Sequence, residues 1–409
     1  MRVLALGGPG AMGDVAVRVA AGLPGVTEIV VADRHLEAAR ALVRRIAEEG
    51  MGGVPMRALR VDVTDSIALL AALEGTDVVL NTVGPYYRFG LTVLRAAIAT
   101  GTHYLDICDD WEPTVQMLGL NEEARRAGVR AVVGMGASPG VSNLLATRAV
   151  RQLDRVQDLY TAWPVDVSGS GGDDEQLSDP DGRPSAAAVH WMEQISGKVA
   201  VVSDGRLVHR RPLRPVTLSV SAGCSGTAYT VGHPEPVTLH RSFGPAGEAA
   251  NLMVVTPGTV AYLDVLRRDI DAGKLTNETA APDLAKPSAS RALRAVAGAV
   301  IRKGPGSLPP FFAAATGTRD GRRVTVLARL ADTPGASALL DDMAEATGLP
   351  LALGLAQLLD GTGGQLGVHP PETAIDAERF FLDLARHVPG LPGDDGSRDG
   401  VVVDVTTNE

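Results

Sequence analysis

The stretch that decides the fold is residues 1–13, MRVLALGGPGAMG. An apolar strand pattern over Val3–Leu6 leads into a G-x-G-x-x-G sequence. In such a turn the first glycine allows a tight bend, the second lets a pyrophosphate approach, and the third lets helix and strand pack closely. Free N–H groups at the following helix start favour an anion. The residues predicted to contact the pyrophosphate are Gly8, Gly10, Ala11, Met12 and Gly13.

The next strand supplies an independent match to a dinucleotide-binding unit. Helical spacing over Met12–Leu23 is followed by an apolar run, Ile29–Ala32, that ends at Asp33. A carboxylate at this position accepts hydrogen bonds from ribose hydroxyls and repels a 2′-phosphate. Arg34 follows, and a guanidinium there can bind that phosphate or lie over the adenine. The sequence therefore favours NAD as cofactor, with NADP as the alternative.

Composition bounds the class of protein. The chain has 409 residues, enough for two or three domains, and its 45 % hydrophobic and 21 % charged residues are typical of a globular protein. A net charge of −10 disfavours nucleic acid as a partner. Two cysteines, Cys108 and Cys224, give neither a disulfide framework nor metal-ligand spacing, so no metal is predicted. The chain begins on a strand pattern and contains no apolar membrane span, which predicts a cytoplasmic protein without a membrane partner.

The first part of the chain alternates strand and helix patterns. Such alternation predicts a doubly wound parallel sheet with right-handed crossovers, here with six strands by about residue 135. We assign residues 1–150 to a dinucleotide-binding domain. The predicted strands are Val3–Leu6, Ile29–Ala32, Arg57–Val61, Asp77–Asn81, His103–Asp106 and Val129–Val133, and the later predicted helices are Ile67–Leu73, Leu91–Thr100, Asn121–Ala127 and Val141–Val150, with a loop at Thr82–Gly90.

The pattern changes after about residue 150 to short strands separated by turns. Hairpin signals at Ser203–Gly205 and Arg319–Gly321 predict a mainly antiparallel sheet. Gly169–Pro184 is predicted to be a mobile loop, and Asn277–Pro287 a polar linker. We assign residues 151–335 to an α+β domain for substrate binding and dimerisation, and 336–409 to a C-terminal segment. The predicted strands are Val156–Val167, Lys198–Val202, Arg206–Arg210, Thr217–Ser221, Ala228–Val231 and Val401–Val405, and the predicted helices are Ser290–Arg302, Ser337–Thr347 and Ala377–Arg386.

Four segments of this chain resemble the saccharopine dehydrogenase-like oxidoreductases. These segments are Gly7–Gly13 with Asp33-Arg34; Asn81–Pro85 with Gly101–Asp106; Gly134–Asn143; and Met343–Leu355 with Gly367–Glu372. The resemblance implies a Rossmann domain completed by the C-terminal segment, with an inserted α+β domain that carries the substrate. It also implies NAD(P)-dependent hydride transfer at the C–N bond of an amino acid or a cyclic imine. The family includes enoyl reductases, so the resemblance does not fix the substrate.

Further cofactor contacts are expected where parallel strands end, because ligands of such sheets bind at the carboxyl edge. Thr82–Pro85 follows the fourth strand, beside the expected nicotinamide end, and Asp62 ends the third strand near the expected adenine. Asp62 has an alternative interpretation as a helix cap. The cofactor residues predicted here are Asp62, Val63, Thr82, Val83, Gly84 and Pro85.

The same edge carries the predicted catalytic pair. Alternation along the fifth strand places Tyr104 and Asp106 on one face and His103 on the other. Asp106 is predicted to bind a substrate ammonium or to steer a protonated imine, with a cap at the strand end as the alternative. Arg88 is predicted to pair with a substrate carboxylate, which gives an amino acid one partner for each of its charges. Tyr86 and Tyr87 are predicted to form the wall of this pocket. The alternative is that one tyrosine packs in the core and that Arg88 is solvated.

Other substrate contacts are predicted from a helix start and from the second domain. Ser138, Pro139 and Gly140 open a helix whose N–H groups can bind a carboxylate or the nicotinamide amide, unless they are simply capped. The predicted substrate residues of the second domain are Trp163, His190, Trp191 and Arg241, with His233 and Glu235 as further candidates on a rigid turn.

The sequence thus predicts an NAD(P)-dependent oxidoreductase that acts on CH–NH or C=N groups, with a small amino-acid or imine substrate and a homodimeric assembly. The alternatives are an enoyl or carbonyl reductase, and a cofactor-binding protein without turnover. In either enzyme the protein positions the acceptor carbon and excludes water, because the cofactor supplies the hydride.

Overall fold

A computed structural model describes residues 1–50, 53–165, 186–221, 223–391 and 400–407. The predicted loop Gly169–Pro184 lies outside these residues. The chain divides into two compact units: unit 1 is Met1–Thr147 with Leu330–Val401, and unit 2 is Arg148–Arg329 with Val402–Glu409. No helix among the described residues has both the length and the apolar character needed to cross a bilayer.

The first third of the chain alternates strands and helices. The strands are β1 (Arg2–Leu6), β2 (Glu28–Asp33), β3 (Met56–Arg60), β4 (Val78–Asn81), β5 (His103–Asp106) and β6 (Arg130–Val132). The helices are α1 (Ala11–Ala21), α2 (Leu36–Glu48), α3 (Ser66–Leu73), α4 (Tyr86–Thr100), α5 (Trp111–Leu118), α6 (Asn121–Arg126) and α7 (Val141–Val150).

The middle of the chain is richer in strands. They are β7 (Arg155–Pro164), β8 (Val199–Ser203), β9 (Arg206–Arg210), β10 (Pro215–Ser221), β11 (Cys224–Val231), β12 (Ala249–Val254), β13 (Phe312–Arg319) and β14 (Arg322–Leu330). The described helices are α8 (Ala186–Gln194), α9 (Glu235–Phe243), α10 (Pro257–Asp271), α11 (Asn277–Ala280), α12 (Pro282–Ala285) and α13 (Ala289–Ile301).

The C-terminal part is mainly helical. It contains α14 (Pro334–Asp341), α15 (Met343–Leu359), β15 (Gly367–His369), α16 (Pro371–Ala374), α17 (Ala377–His387) and β16 (Val401–Thr407).

Unit 1 is built on a seven-stranded sheet in the order β15-β6-β5-β4-β1-β2-β3, with parallel pairing throughout. Its central strands are buried along nearly their whole length, as expected for a parallel sheet covered by helices on both faces. The seventh strand, β15, comes from the C-terminal segment. Helix α15 packs against α1 so closely that a Cβ on Gly348 would lie 2.4 Å from the Met12 carbonyl oxygen. The predicted Rossmann fold class is confirmed.

Unit 2 is built on a mixed sheet, whose main path runs β10-β11-β12-β7-β13-β14-β16, while β8 pairs with β12 and β9. Strands β12 and β7 pair in parallel. The registers of β10–β11, β11–β12, β7–β13, β13–β14, β8–β9 and β8–β12 are antiparallel, as a mainly antiparallel sheet requires.

Several predicted element boundaries are wrong. Helix α4 begins at Tyr86 and takes up the second half of the predicted loop Thr82–Gly90. The predicted linker Asn277–Pro287 contains the short helices α11 and α12. The predicted helix Ser337–Thr347 is two helices, separated at Asp342, whose carboxylate caps α15. The predicted segment 336–409 divides, because β16 belongs mostly to the sheet of unit 2.

Candidate functional site

The turn between β1 and α1 is held by backbone hydrogen bonds. Gly7 N–H donates to the Ala32 carbonyl at 2.9 Å, and Gly10 N–H donates to the Gly7 carbonyl at 2.9 Å. Gly7 has φ +75°, a left-handed conformation that glycine adopts without strain. The tight bend therefore depends on Gly7, which corrects the role predicted for Gly8.

The three fingerprint glycines differ in what surrounds them. A Cβ on Gly13 would lie 2.5 Å from the Gly7 carbonyl oxygen, so no side chain fits there. A Cβ on Gly8 would lie 3.0 Å from Val31 Cγ1. A Cβ on Gly10 would have one neighbour within 4 Å, the Gly7 carbonyl oxygen at 3.2 Å. Gly10 is exposed, so space outside the turn remains open for a ligand.

Helix α1 begins at this open space without a side-chain cap. Its N-cap residue is Gly10, which has no side chain that could accept a hydrogen bond from the first turn. Ala11 is exposed and Met12 is half-buried. The first-turn N–H groups and the positive end of the helix dipole suit a pyrophosphate. The residues present therefore fit the phosphates of a dinucleotide.

The expected adenine end lies where β2 and β3 finish. The Asp33 carboxylate accepts a hydrogen bond from His35 N–H at 2.8 Å, and Arg34 is exposed. Asp62 accepts from both the N–H and the hydroxyl of Thr64, so it does not cap α3, whose cap is Asp65. These Thr64 hydrogen bonds, with smaller help from the charges of Arg34 and Arg60, lower the pKa of Asp62. Val63, next to Asp62, is buried.

The loop after β4 is anchored to the first strand. The Thr82 hydroxyl donates to the Leu6 carbonyl at 3.0 Å, and Val83 N–H donates to Asn81 Oδ1 at 3.1 Å. Gly84 is exposed, and a Cβ there would meet nothing within 4 Å. A cis peptide bond joins it to the half-buried Pro85. The loop thus presents free space at Gly84, as a cofactor contact requires.

Asp106 is the centre of a closed hydrogen-bond network at the end of β5. Its Oδ2 accepts from the Tyr104 hydroxyl at 2.6 Å. Its Oδ1 accepts from Cys108 N–H at 3.0 Å and from Gly134 N–H at 2.7 Å. Asp106 and Tyr104 have no exposed surface. Burial raises the pKa of Asp106 to about 6 and that of the Tyr104 phenol well above its ordinary value.

The same network extends to β4 and α4. Asn81 Nδ2 donates to the Tyr104 hydroxyl at 3.0 Å, and the Tyr86 hydroxyl donates to the Asn81 carbonyl at 2.7 Å. Tyr86 is buried. Asn81 was not predicted as a site residue, although it ends β4 at the edge where ligands bind.

These contacts correct the predicted catalytic pair. Tyr104 and Asp106 do share a face, but they face the interior of unit 1 and bond to each other. The prediction that Asp106 and Tyr104 contact the substrate directly is wrong, because both side chains are fully buried and the carboxylate already accepts three hydrogen bonds. Their geometry suits positioning of the β4, β5 and β6 ends. His103 lies on the other face, where its Nδ1 accepts from Arg130 N–H at 3.2 Å and burial lowers its pKa.

The other two residues predicted at the start of α4, Tyr87 and Arg88, are exposed, unlike the buried Tyr86. Tyr87 is half-exposed, and its N–H donates to Asp110 Oδ2 at 3.0 Å. Arg88 is exposed, with its guanidinium carbon 5.1 Å from the centre of the Phe89 ring. Asp110, which the sequence did not single out, joins α4 to the start of α5. Tyr87 and Arg88 therefore remain accessible for a ligand.

The Ser138-Pro139-Gly140 turn is held by hydrogen bonds among its own neighbouring residues. Gly136 N–H donates to the Pro139 carbonyl, and Val141 N–H donates to the Gly136 carbonyl. Gly140 N–H donates to Asn143 Oδ1 at 3.0 Å. A Cβ on Gly140, whose φ is +121°, would lie 2.0 Å from the Gly136 carbonyl oxygen. These intrachain acceptors favour the alternative of capping over the predicted binding of a substrate carboxylate or the nicotinamide amide.

Glu372 supports this turn from far away in the sequence. Asn143 Nδ2 donates to Glu372 Oε2 at 2.8 Å, and both side chains are buried. The pair joins the start of α7 to α16 across 229 residues. No local pattern marks such a contact.

The candidates in unit 2 occupy neighbouring elements. Trp163, at the end of β7, is half-buried and donates from Nε1 to Asn251 Oδ1 at 2.8 Å. His190 and Trp191 are half-buried on α8, where His190 Nε2 lies 2.7 Å from Gln194 Nε2. Arg241 is exposed in the last turn of α9.

The fold and this site define a class: a Rossmann-type protein with an open glycine turn for a dinucleotide. Residues 3–132 match the family model described as the saccharopine dehydrogenase NADP binding domain. The resemblance predicted from the sequence is confirmed, and the domain is one for a nicotinamide cofactor.

Two curated relatives match parts of this chain. Saccharopine dehydrogenase [NADP(+), L-glutamate-forming] of Schizosaccharomyces pombe is 29 % identical over 110 residues, 27 % of this chain and 23 % of the relative. Carboxynorspermidine synthase of Vibrio alginolyticus is 23 % identical over 186 residues, 42 % of this chain and 44 % of the relative. The matched regions thus span less than half the length of either relative.

A solved structure of similar fold aligns over the whole length of this chain. Apo saccharopine dehydrogenase (L-Glu forming) from Saccharomyces cerevisiae aligns with a TM-score of 0.63 at 16 % identity and covers 100 % of both chains. At this identity the likeness shows the fold alone, and it confirms the predicted combination of a Rossmann domain with a second α+β domain.

Proposed function

We propose that this protein is an NAD(P)-dependent oxidoreductase that transfers hydride at the C–N bond of an amino acid or an imine. The observation that carries the proposal is the β1–α1 turn, where an uncapped helix start and the open space at Gly10 suit a pyrophosphate. The family model and the names of both curated relatives support the reaction class. When bound, the cofactor supplies or accepts the hydride. The protein binds and orients the substrate and excludes water.

The proposed cofactor is NADP(H). The sequence favours NAD because of Asp33, whereas the description of the matching family model and the name of the S. pombe relative favour NADP(H). Arg34 and Arg60 both lie near enough to Asp62 to lower its pKa, so this edge carries two guanidinium charges for a 2′-phosphate. The proposed cofactor residues are those predicted above, with Gly7 added for the turn.

The proposed substrate contacts are, within each unit taken by itself, residues that remain accessible. In unit 1 these are Tyr87 and Arg88, with Arg88 as the partner of a substrate carboxylate. In unit 2 they are Trp163, His190, Trp191 and Arg241. Asp106, Tyr104 and Tyr86 are proposed as positioning residues that hold the strand ends. We further propose a homodimer located in the cytoplasm.

Binding and turnover experiments test this function separately. Titration with NADPH and NADH, followed by nucleotide fluorescence, measures cofactor binding. Oxidation or reduction of the nucleotide is then followed with pooled amino acids, pooled cyclic imines, and pooled enoyl and carbonyl compounds. Turnover with the first two pools is expected. Turnover only with the third pool indicates an enoyl or carbonyl reductase, and binding without any turnover indicates a non-catalytic protein.

A further inference from the structure

A buried polar network lies behind Trp163 in unit 2. Asn251 Oδ1 accepts from Trp163 Nε1 at 2.8 Å, while Asn251 Nδ2 donates to Thr161 Oγ1 at 3.0 Å and to Glu235 Oε1 at 2.8 Å. Thr161, Glu235 and Asn251 have no exposed surface. One amide therefore uses its acceptor and both of its donor hydrogens, which fixes the orientation of its plane.

The Glu235 carboxylate also faces an imidazole. Its Oε2 lies 3.4 Å from His233 Nδ1, and the His233 side chain is 4 % exposed. The rings of His233 and Trp163 are 5.3 Å apart, centre to centre, with 36° between their planes. Glu235 thus acts on both rings, on His233 directly and on Trp163 through Asn251.

Stability alone gives no reason for this arrangement. Burying a carboxylate is costly, and apolar replacements of buried ionic groups are frequently neutral or stabilising. Trp163 is a partly exposed member of an otherwise apolar cluster, and ordinary packing would hold it there without a hydrogen bond. What the network adds is a defined orientation of two adjacent rings.

We propose that Glu235 is a positioning residue for substrate recognition. Through Asn251, and through the buried His233 ring packed against Trp163, it holds the partly exposed Trp163 ring as a preformed face that contacts the amino-acid or imine substrate. The inference rests on the proposed function and adds to it residues that determine specificity. A preformed face lowers the entropy that binding must otherwise remove, so a loosened face weakens substrate binding more than the chemical step.

The test compares Glu235→Gln with Asp283→Asn. The second variant neutralises another buried carboxylate of unit 2, which is held by Tyr262 and Arg291 outside this network. Glu235→Gln is expected to raise KM for the amine or imine substrate about tenfold, or about 1.4 kcal/mol, with kcat and the Kd for NADPH changed less than about twofold. Asp283→Asn is expected to leave KM unchanged even if its Tm falls equally.

A spectroscopic measurement reports the positioning itself. The chain has three tryptophans, so Trp111→Phe with Trp191→Phe leaves Trp163 as the reporter. Adding Glu235→Gln is expected to shift its emission and to increase quenching by acrylamide, whereas Asp283→Asn changes neither. If Glu235→Gln does not fold, Thr161→Val removes one acceptor of Asn251 and is expected to raise KM about threefold.

The outcomes separate the two proposals. A wild type that turns over an amine or imine, with unchanged KM and unchanged Trp163 emission in Glu235→Gln, overturns the positioning role alone. A rise in KM that Asp283→Asn reproduces also overturns it. A wild type that binds no dinucleotide or turns over no amine or imine overturns the proposed function, and the substrate role of this network with it.

Discussion

Two regions at the carboxyl edge of one parallel sheet use their polar groups in opposite ways. The turn after β1 leaves open space at Gly10 and an uncapped helix start at Ala11. The end of β5 is closed, since Asp106 has no exposed surface and accepts three hydrogen bonds from its own unit. A position at the ligand-binding edge of a sheet is therefore not by itself a sign of ligand contact. Polar groups with no partner in the fold are the better sign.

Replacing Asp106 by Ala breaks the closed region. We expect a loss of about 3 to 5 kcal/mol in the free energy of unfolding, because the Tyr104 hydroxyl and two backbone N–H groups lose their buried acceptor. Urea denaturation at about pH 5 measures this loss. Asp33→Ala is the matched control, because Asp33 also ends a strand at this edge but is half-exposed and accepts from one N–H. We expect the control to cost about 1 kcal/mol. Equal losses would contradict the contrast between the regions.

The pH dependence of the unfolding free energy gives a second test of the closed region. The pKa of Asp106 is raised from 3.8 to about 6 by burial, so the folded state holds this proton more tightly than the unfolded chain does. This contribution to stability is present in full below about pH 4 and is lost as the pH rises through about 6, a total of about 3 kcal/mol. The unfolding free energy of the wild type minus that of Asp106→Asn should therefore fall from about pH 4 to about pH 7. A constant or rising difference would show that Asp106 is not the buried group described here.

Replacing Gly10 by Val fills the open region. We expect the Kd for NADPH to rise at least about 100-fold with little change in Tm, because the side chain occupies the pyrophosphate position without entering the core. Nucleotide fluorescence titration and thermal unfolding measure the two effects. Gly258→Val is a matched control at the start of α10 in unit 2, where a Cβ would meet only Thr256 Oγ1 at 4.0 Å. Unchanged affinity in folded Gly10→Val would remove the turn from the site.

Arg34→Ala tests the adenine side of the open region and has the smallest expected effect. The Kd for NADPH should rise about tenfold and that for NADH should stay within about twofold, since only NADPH carries the 2′-phosphate. Asp33→Ser is expected to have the opposite effect in the same titrations, improving NADPH binding relative to NADH binding. If the wild type binds NADH more tightly, Asp33 determines the cofactor and the sequence-based preference for NAD is correct.

The sequence by itself determined the dinucleotide-binding part of this protein. The glycine spacing, the helix start and Asp33 lie within 33 residues, and the roles predicted for them rest on local backbone geometry. The βαβ order likewise follows from local periodicity, and alternation along β5 correctly places Tyr104 and Asp106 on one face. The match over residues 3–132 agrees with that local origin.

Only the tertiary structure decided which polar groups remain free. Asp106 and Arg88 look equally available in the sequence, yet the donors that close Asp106 come from β5, the loop after it and the loop after β6. Glu372 reaches Asn143 across 229 residues, and Asn251 reaches Thr161 across 90. Hydrogen bonding and burial depend on distances between remote segments, and no local pattern contains them. Local sequence therefore predicts where a dinucleotide would fit, whereas folding determines which polar side chains at the sheet edge stay accessible.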